Sequence, residues 1–497
     1  MFGLATPLLD WALILPVVLG LMGGALLLML RGLLRLQAVV CALVLLLILG
    51  SDAVLFQRVS IEGPLAMTMG NWLPPFGISF TADMLGAAFA LVAAFVTLVV
   101  VVYLQMDVPE TAQRDGLYPL ILLLTAGVHG AFLTGDLFNL YVWLELTLIS
   151  TFGLMVLAGN PLQLDGAVKY GILNFLATSL FLLALGLCYG LLGILNMADI
   201  VRLAPEADSA TLTAIVALFM LALGIKAAAF PVNAWLPAAY HTPPPAIAAL
   251  MAGLLTKVGV YALLRTLLFL FPAASANLQP ALLAVAVATL ILGPLGAIAE
   301  TRLRRSLGFM LIGGIGIVLA ALAWPTPAAI AGAVLYAVHA MLTITALYLM
   351  AGLIEKRMGQ GRLAAAIMLL LLLSVAGMPP FLGFWPKLLL LEGLFDQSGI
   401  VHGAGADWRS MLLVLAILAN AMLTLIAGMR HWIRLYWRTE PSETQAFSVS
   451  GHGAAIVLAT LCIIVGLWPN RLVESAMAAA AGLIDAVPYV AAVELAP

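Results

Sequence analysis

Charge is scarce along this sequence. Only 9% of its 497 residues are Asp, Glu, Lys or Arg, where a soluble chain carries roughly a quarter. So few charges cannot cover a water-facing surface, and a soluble fold is excluded. The net charge of −2 argues neither for nor against a charged partner, and nothing suggests the clustered Lys and Arg face that nucleic acid requires. Cysteine is equally sparse. Cys41, Cys188 and Cys462 stand far apart in apolar runs, with no CxxC or metal spacing. They read as small apolar packing residues, and no cofactor or iron–sulfur cluster is expected on them. Long polar stretches are missing too: the longest, Arg438 to His452, is too short for a soluble domain. No basic segment precedes the first apolar run, Leu8 to Leu30, as a cleaved signal peptide would require. That run reads as a retained span.

What is present is apolar sequence, 64% of the chain, with a mean hydropathy of +1.16. A span needs about 20 such residues to cross the hydrocarbon. Runs of that kind lie near 8–30, 35–56, 82–104, 117–134, 137–158, 166–192, 210–238, 245–271, 278–298, 306–323, 327–353, 364–394, 410–430 and 453–469. The fold class expected is an all-α polytopic membrane protein with about 14 transmembrane helices. Between the second and third runs, "EGPLAMTMGNWLPPFGISFTAD" suits an ordered interfacial hairpin. Counting Lys and Arg with the N-terminus outside gives 13 in cytoplasmic loops, 5 in outer loops (Arg265 among them) and 3 within spans. The asymmetry predicts both termini outside.

The three lysines within spans, and the carboxylate Glu145, are the candidate site. A charge at the bilayer centre costs about 2.5–3.5 kcal/mol on insertion scales. A lysine near a helix end escapes by snorkelling. Lys257 lies about twelve residues into its run, or ~18 Å at 1.5 Å per residue. Lys226 and Glu145 are similarly deep. Two runs are interrupted. "GIKAAAFPVNAWLPAAY" carries Pro231 and Pro237 after Lys226, and "SVAGMPPFLGFWPKLLLLEG" carries Pro379, Pro380 and Pro386 beside Lys387. Proline removes a backbone donor, and freed carbonyls inside a membrane need protein or a water-filled cavity to satisfy them. Two breaks in corresponding places point to an internal repeat around a transport path; the plain alternative is a pair of packing kinks. His339, mid-span, is either a relay group or a histidine hydrogen-bonded to a neighbouring helix. His129 carries less weight. Lys169 reads as interfacial, and Asp136 as an anion at a helix N-terminus.

The stretches "GDLFNLYVWLELTLIS", "ILNMADI", "KAAAFPVNAWLPAAYHTPPPAIAALMAGLLTKVGVYALLR", "GMPPFLGFWPKL" and the closing "AGLIDAVPYVAAV" resemble the D-subunit family of Mrp-type sodium/proton antiporters. They are similar, more distantly, to the antiporter-like subunits of respiratory complex I. Neither the long lateral helix of the largest of those nor the extra spans of the Mrp A subunit is expected here. The resemblance implies two inverted five-helix repeats, with the seventh and twelfth helices broken. The segments are 1–115 with spans 1–3 and the hairpin, 116–272 with spans 4–8, 273–431 with spans 9–13, and 432–497 with the last span and tail. It carries the family's key glutamate onto Glu145, its partner lysine onto Lys226, the eighth-helix lysine onto Lys257, the eleventh-helix histidine onto His339 and the twelfth-helix lysine onto Lys387. No matched motif assigns a sodium or other metal ligand. The implied partners are other Mrp-type membrane subunits in a bacterial cell membrane, with protons and sodium as substrates.

A mechanism follows as an expectation. Burial disfavours the charged form of an isolated Glu145 or Lys226, whereas close together each holds the other charged. Separation lets Lys226 pass its proton to Lys257, and His339 carries it on to Lys387. The rival is a proton-pumping subunit of a complex I-type or hydrogenase redox complex. A mere membrane scaffold explains the hydrophobicity but not the deep charges.

Overall fold

A computed structural model describes residues 9–72, 77–157, 159–359, 361–396, 407–437 and 449–494. The polar stretch that begins at Arg438 and the Pro-Pro tip of the hairpin fall mostly outside them. The helices, in chain order, are α1 Leu15–Met29, α2 Leu34–Glu62, α3 Met84–Asp107, α4 Leu117–Leu133, α5 Leu137–Val156 and α6 Pro161–Leu192. They continue as α7 Ser209–Ala227, α8 Pro245–Leu264, α9 Gln279–Ala299, α10 Leu303–Ala323, α11 Pro327–Glu355 and α12 Arg362–Ala376. The last are α13 Phe384–Asp396, α14 Trp408–Trp432, α15 Val449–Leu467, α16 Asn470–Ile484 and α17 Val487–Glu494. Short helical turns link several of them. The expected interfacial hairpin is an antiparallel pair, β1 Leu65–Thr68 and β2 Ser79–Ala82, in the register Leu65↔Ala82 to Thr68↔Ser79.

The protein is an all-helical, polytopic membrane protein. Among the described residues ten helices are long and apolar enough to cross a bilayer, eleven if the pair α15 and α16, bent by 83°, counts as one. That is fewer than the fourteen runs in the sequence. Three of those runs fall on shorter apolar helices, α1, α4 and α12. The seventh run ends early as a helix, at Ala227, and the twelfth is two helices, α12 and α13. After α15 come two helices that hydropathy did not predict. α16 is rich in alanine and carries Arg471 and Glu474, which keeps its mean hydropathy low.

The apolar stretches of α8 and α11 are completely buried, so these two form the centre, with the other helices arranged around them. Small residues allow the closest approaches. On α8, Gly253 faces Thr345 of α11. Between α9 and α10, Gly293 lies against the backbone of Gly313, and Gly316 against that of Leu290. Asn420 of α14 clamps that pair, donating to Leu290 O (2.8 Å) and Gly313 O (3.2 Å).

The two ends of the bundle differ. At one, ion pairs and caps join helix termini. Lys356 pairs with Asp107 (2.9 Å), whose other oxygen accepts from Ala246 N (2.8 Å). Arg304 pairs with Glu355 (2.8 Å) and donates to Pro243 O (2.6 Å). Arg430 donates to Ile298 O and Arg434 to Thr301 O. The hairpin, α16 and α17 occupy the opposite end, where Arg202 pairs with Glu494.

Gly293→Val tests the glycine contact. Its side chain would meet the Gly313 backbone, which cannot step aside, so destabilisation of about 1–3 kcal/mol is expected from overpacking. The thermal unfolding midpoint of the purified protein should shift down; an unchanged midpoint would show that α9 and α10 have room to spare.

Candidate functional site

The breaks in the two interrupted runs are built differently. α7 stops because Ala228 adopts a left-handed conformation, φ 60°. Its last carbonyls are then taken up one by one: Ala229 N donates to Gly224 O (2.8 Å), and both Ala228 N and the Trp235 indole donate to Ile225 O (each 3.0 Å). Lys226 sits in this last helical turn, buried, just before the break. The α8 backbone presses against it: a Cβ on Gly259 would stand 2.8 Å from Ala227 N.

α12 stops at Gly377, φ 89°, and α13 begins at Phe384. Pro386 falls in the first turn of α13, where proline fits a helix, so the break itself holds Pro379 and Pro380. Lys387 comes one residue later and is buried. Its ammonium reaches back across the break and donates to Ala376 O (2.6 Å) and Val375 O (3.3 Å). Carbonyls that the helix end would strand are thereby satisfied by a lysine.

His339 lies between the two halves, on α11, 1% exposed. Its Nε2 is 3.0 Å from Ser374 Oγ on α12, and the ring stands edge-on to Tyr336 at 5.7 Å. Its Nδ1 has no hydrogen-bond partner among the described residues. The break runs directly over this ring, and only glycine fits: a Cβ on Gly383 would meet Ser374 O and lie 2.9 Å from the imidazole. Lys257, 2% exposed on α8, donates to Ala252 O (2.9 Å) and Thr256 Oγ1 (3.2 Å). Both Lys257 and Lys387 lie within electrostatic reach of His339. Lys257, His339 and Lys387 therefore form one buried group.

Glu145 is set apart. It is half-buried on α5 and lines a groove of about 540 Å³ with Tyr141, Phe175, Ser179 and Leu183. Its charge acts on Lys226, yet among the described residues no ion pair within 4.0 Å joins them. The close pair expected from the sequence is thus a longer-range one. Tyr170 of α6 lies within reach of Glu145 and packs edge-on to Trp235, the residue that caps the α7 break.

Other expectations resolve simply. Asp136 caps α5 by accepting from Asn139 N (2.8 Å), and Lys169 pairs at the surface with Asp165 (2.5 Å). The three cysteines are buried and free. Among the described residues no cluster of His, Cys, Asp and Glu is arranged to hold a metal. Two buried pairs escaped the sequence reading. His129 is paired with Asp52 of α2 at 2.9 Å, both fully buried. Arg265, assigned above to an outer loop, is buried at 2% exposure and paired with Asp83 at 2.7 Å. Its spacing of eight from Lys257, two near-full helical steps on one face, was the available signal.

The chain as a whole is similar to known proteins. Residues 134–405 match the family described as "NADH:quinone oxidoreductase/Mrp antiporter, TM". The chain is 32% identical to the D subunit of the Na(+)/H(+) antiporter of Bacillus subtilis, over 97% of this chain and 98% of that protein. It is similar to a chain of the Mrp complex from Dietzia sp., with a TM-score of 0.87 and 27% identity, covering 98% of this chain and 100% of that one. It is also similar to a chain of an archaeal membrane-bound sulfane sulfur reductase, with a TM-score of 0.87 and 25% identity, covering 97% and 100%.

Gly383→Ala probes the contact between the second break and His339. The added methyl should push the imidazole off Ser374 and cut transport while the complex still assembles. Ser374→Ala should then reproduce part of the loss; full transport in assembled Gly383→Ala would mean that the ring position is of no consequence.

Proposed function

The chain belongs to the NADH:quinone oxidoreductase/Mrp antiporter membrane family, and we propose that it is the proton-translocating D-type subunit of a multisubunit sodium/proton antiporter. It is a transporter subunit rather than an enzyme. The observation that carries the reading is the buried group Lys257, His339 and Lys387, held on three helices around two helix breaks. Such charges are costly in hydrocarbon and mark ion pathways.

In the proposed cycle Glu145 acts on Lys226 from α5. Its approach favours the ammonium; its withdrawal frees the proton to move to Lys257. From there His339, whose Nδ1 has no partner among the described residues, hands charge towards Lys387. Lys387 is anchored on the Ala376 and Val375 carbonyls, so its loading is tied to the geometry of the break. These groups titrate as a coupled set. Sodium moves in the opposite sense, and no residue here is assigned to bind it. Other Mrp-type subunits are the partners, and the groove at Glu145 is where one of them completes the environment of that carboxylate.

The proposed topology has fourteen spans, counting α1, α4 and α12, with both termini outside. The residues 116–272 and 273–431 form two inverted five-helix repeats, broken after Lys226 and before Lys387. The Arg- and Lys-rich end of the bundle is then cytoplasmic, in keeping with the positive-inside rule. A redox-driven pump is the alternative, and the likeness to a sulfane sulfur reductase chain favours it as a fold precedent. The identity across nearly the whole length of an antiporter subunit supports the antiporter.

Two substitutions test the proposal in vesicles containing the assembled complex. Glu145→Ala removes the charge that acts on Lys226, and sodium-driven proton flux should fall at least about tenfold, as for a barrier raised by about 1.4 kcal/mol. Near-normal flux would remove Glu145 from the mechanism.

Lys257→Arg keeps the charge but cannot release a proton, so assembly should survive and flux should stop. Lys387→His, titratable and close to a break, should retain more flux than Lys257→Arg. Full activity in Lys257→Arg would end the relay reading.

A further inference from the structure

α8 carries more than Lys257. Tyr261 and Arg265 follow it at successive steps of four, so all three share one helix face that runs from the buried group to the hairpin end of the bundle. At that end the helix widens into π-helical turns, Arg265–Leu270, a distortion frequent at functional sites. The Arg265 guanidinium is enclosed there. Nη2 pairs with Asp83 Oδ2 (2.7 Å) and donates to Tyr261 OH (3.2 Å), which in turn donates to Phe132 O (2.8 Å). Its charge also lies against the rings of Phe269 (4.9 Å) and Tyr489 (5.3 Å).

Beyond this cluster lies a cavity of about 370 Å³ at the hairpin end, lined in part by Asp83, Tyr489 and Asp485. Asp83 and Tyr489 separate it from Arg265, and they are only 5% and 2% exposed. Three segments hold this wall. Asp83 caps α3, accepting from Gly86 N (2.9 Å), and Tyr489 of α17 is bonded to Thr81 of β2 (2.6 Å).

The cluster makes a poor staple. A buried ion pair contributes little net stability. Here the Arg265 Nε and Nη1 also lack hydrogen-bond partners among the described residues, which is unfavourable for buried donors. It makes a good barrier. Guanidinium stays protonated, and a fixed positive charge in a narrow passage repels protons and cations.

We propose that the Asp83–Arg265 pair, closed over by Tyr489, is the gate between the hairpin-end cavity and Lys257, through which protons enter or leave the buried group. The proposal rests on Lys257 being a proton carrier. In the shut state described here the guanidinium blocks the Lys257–Tyr261 face. Opening swings it towards the cavity with Asp83 and admits water along α8.

The test is proton leak through the whole complex in sodium-free proteoliposomes under an imposed membrane potential, normalised to assembled complex. Asp83→Asn with Arg265→Gln removes both charges, and Asn keeps the α3 cap. Leak should rise roughly tenfold. Adding Lys257→Arg to that pair should abolish the rise. Tyr489→Ala, which uncovers the cluster without changing its charge, should leak in the same Lys257-dependent way and serves where the double variant assembles poorly. Wild-type tightness in both assembled variants overturns the gate. So does a lower yield of complex with unchanged leak per complex, the mark of a structural role, or a leak that persists beside Lys257→Arg. Failure of the relay reading is separate: it appears as full coupled flux in Lys257→Arg alone.

Discussion

Inside a bilayer a helix cannot simply stop, because each freed carbonyl lacks water to bind and needs another donor. Much of the site follows from how that need is met at two places. At the end of α7 the donors are backbone amides and the Trp235 indole. At the end of α12 the amides of Gly377 and Met378 take up Leu373 O and Ser374 O, and the Lys387 ammonium takes up the last two, Val375 O and Ala376 O. The second solution ties structure to charge: hydrogen bonds from a charged donor are roughly twice as strong as neutral ones, so Ala376 and Val375 are held most tightly while Lys387 is protonated. Proton occupancy and backbone geometry are therefore coupled at the second break and decoupled at the first.

In the proposed mechanism that difference gives the two lysines distinct parts. Lys226 precedes its break and, among the described residues, has no carbonyl to hold it, whereas in the proposed cycle Glu145 acts on it from a distance. Lys387 follows its break and is anchored. Between them, Lys257 and His339 sit on the two most enclosed helices, α8 and α11. Neither can exchange a proton with bulk water unaided, so each depends on the groups at the two ends. The half-exposure of Glu145 at the groove makes it the member most open to a neighbouring subunit. A signal arriving there would reach Lys226 first.

The sequence made the membrane class, the breaks and the deep lysines legible because these are local properties: hydrophobic run length, proline position and distance from a helix end. It did not make interhelical distances legible. Hydropathy and spacing say that Glu145 and Lys226 are deep, not that a gap wider than an ion pair separates them. The same blindness hid the pairing of Asp52 with His129, which face each other from α2 and α4 and stand 77 positions apart in the chain. Arg265 was lost to a rule of thumb. It stands near the end of a run, where a basic residue normally snorkels, and only the packing of β2, α3 and α17 over that end makes it a buried charge. α16 was missed because it is amphipathic rather than apolar throughout.

Arg265 also bears on how an antiporter differs from a channel. A row of titratable groups with an open mouth would conduct protons downhill without moving sodium. Tight coupling needs a barrier that a proton cannot cross while the row is idle. A carboxylate alone would attract cations, and an apolar plug would hold back water but leave no handle for control. A paired guanidinium supplies a positive barrier that stays charged and a carboxylate that can draw it aside. Because the pair is built from α3 and α8 and covered by α17, any shift of α8 that repositions Lys257 also strains the contact with Asp83. In the proposed mechanism the proton row and its outer closure thus share one helix, which is the simplest mechanical way to keep them from acting independently.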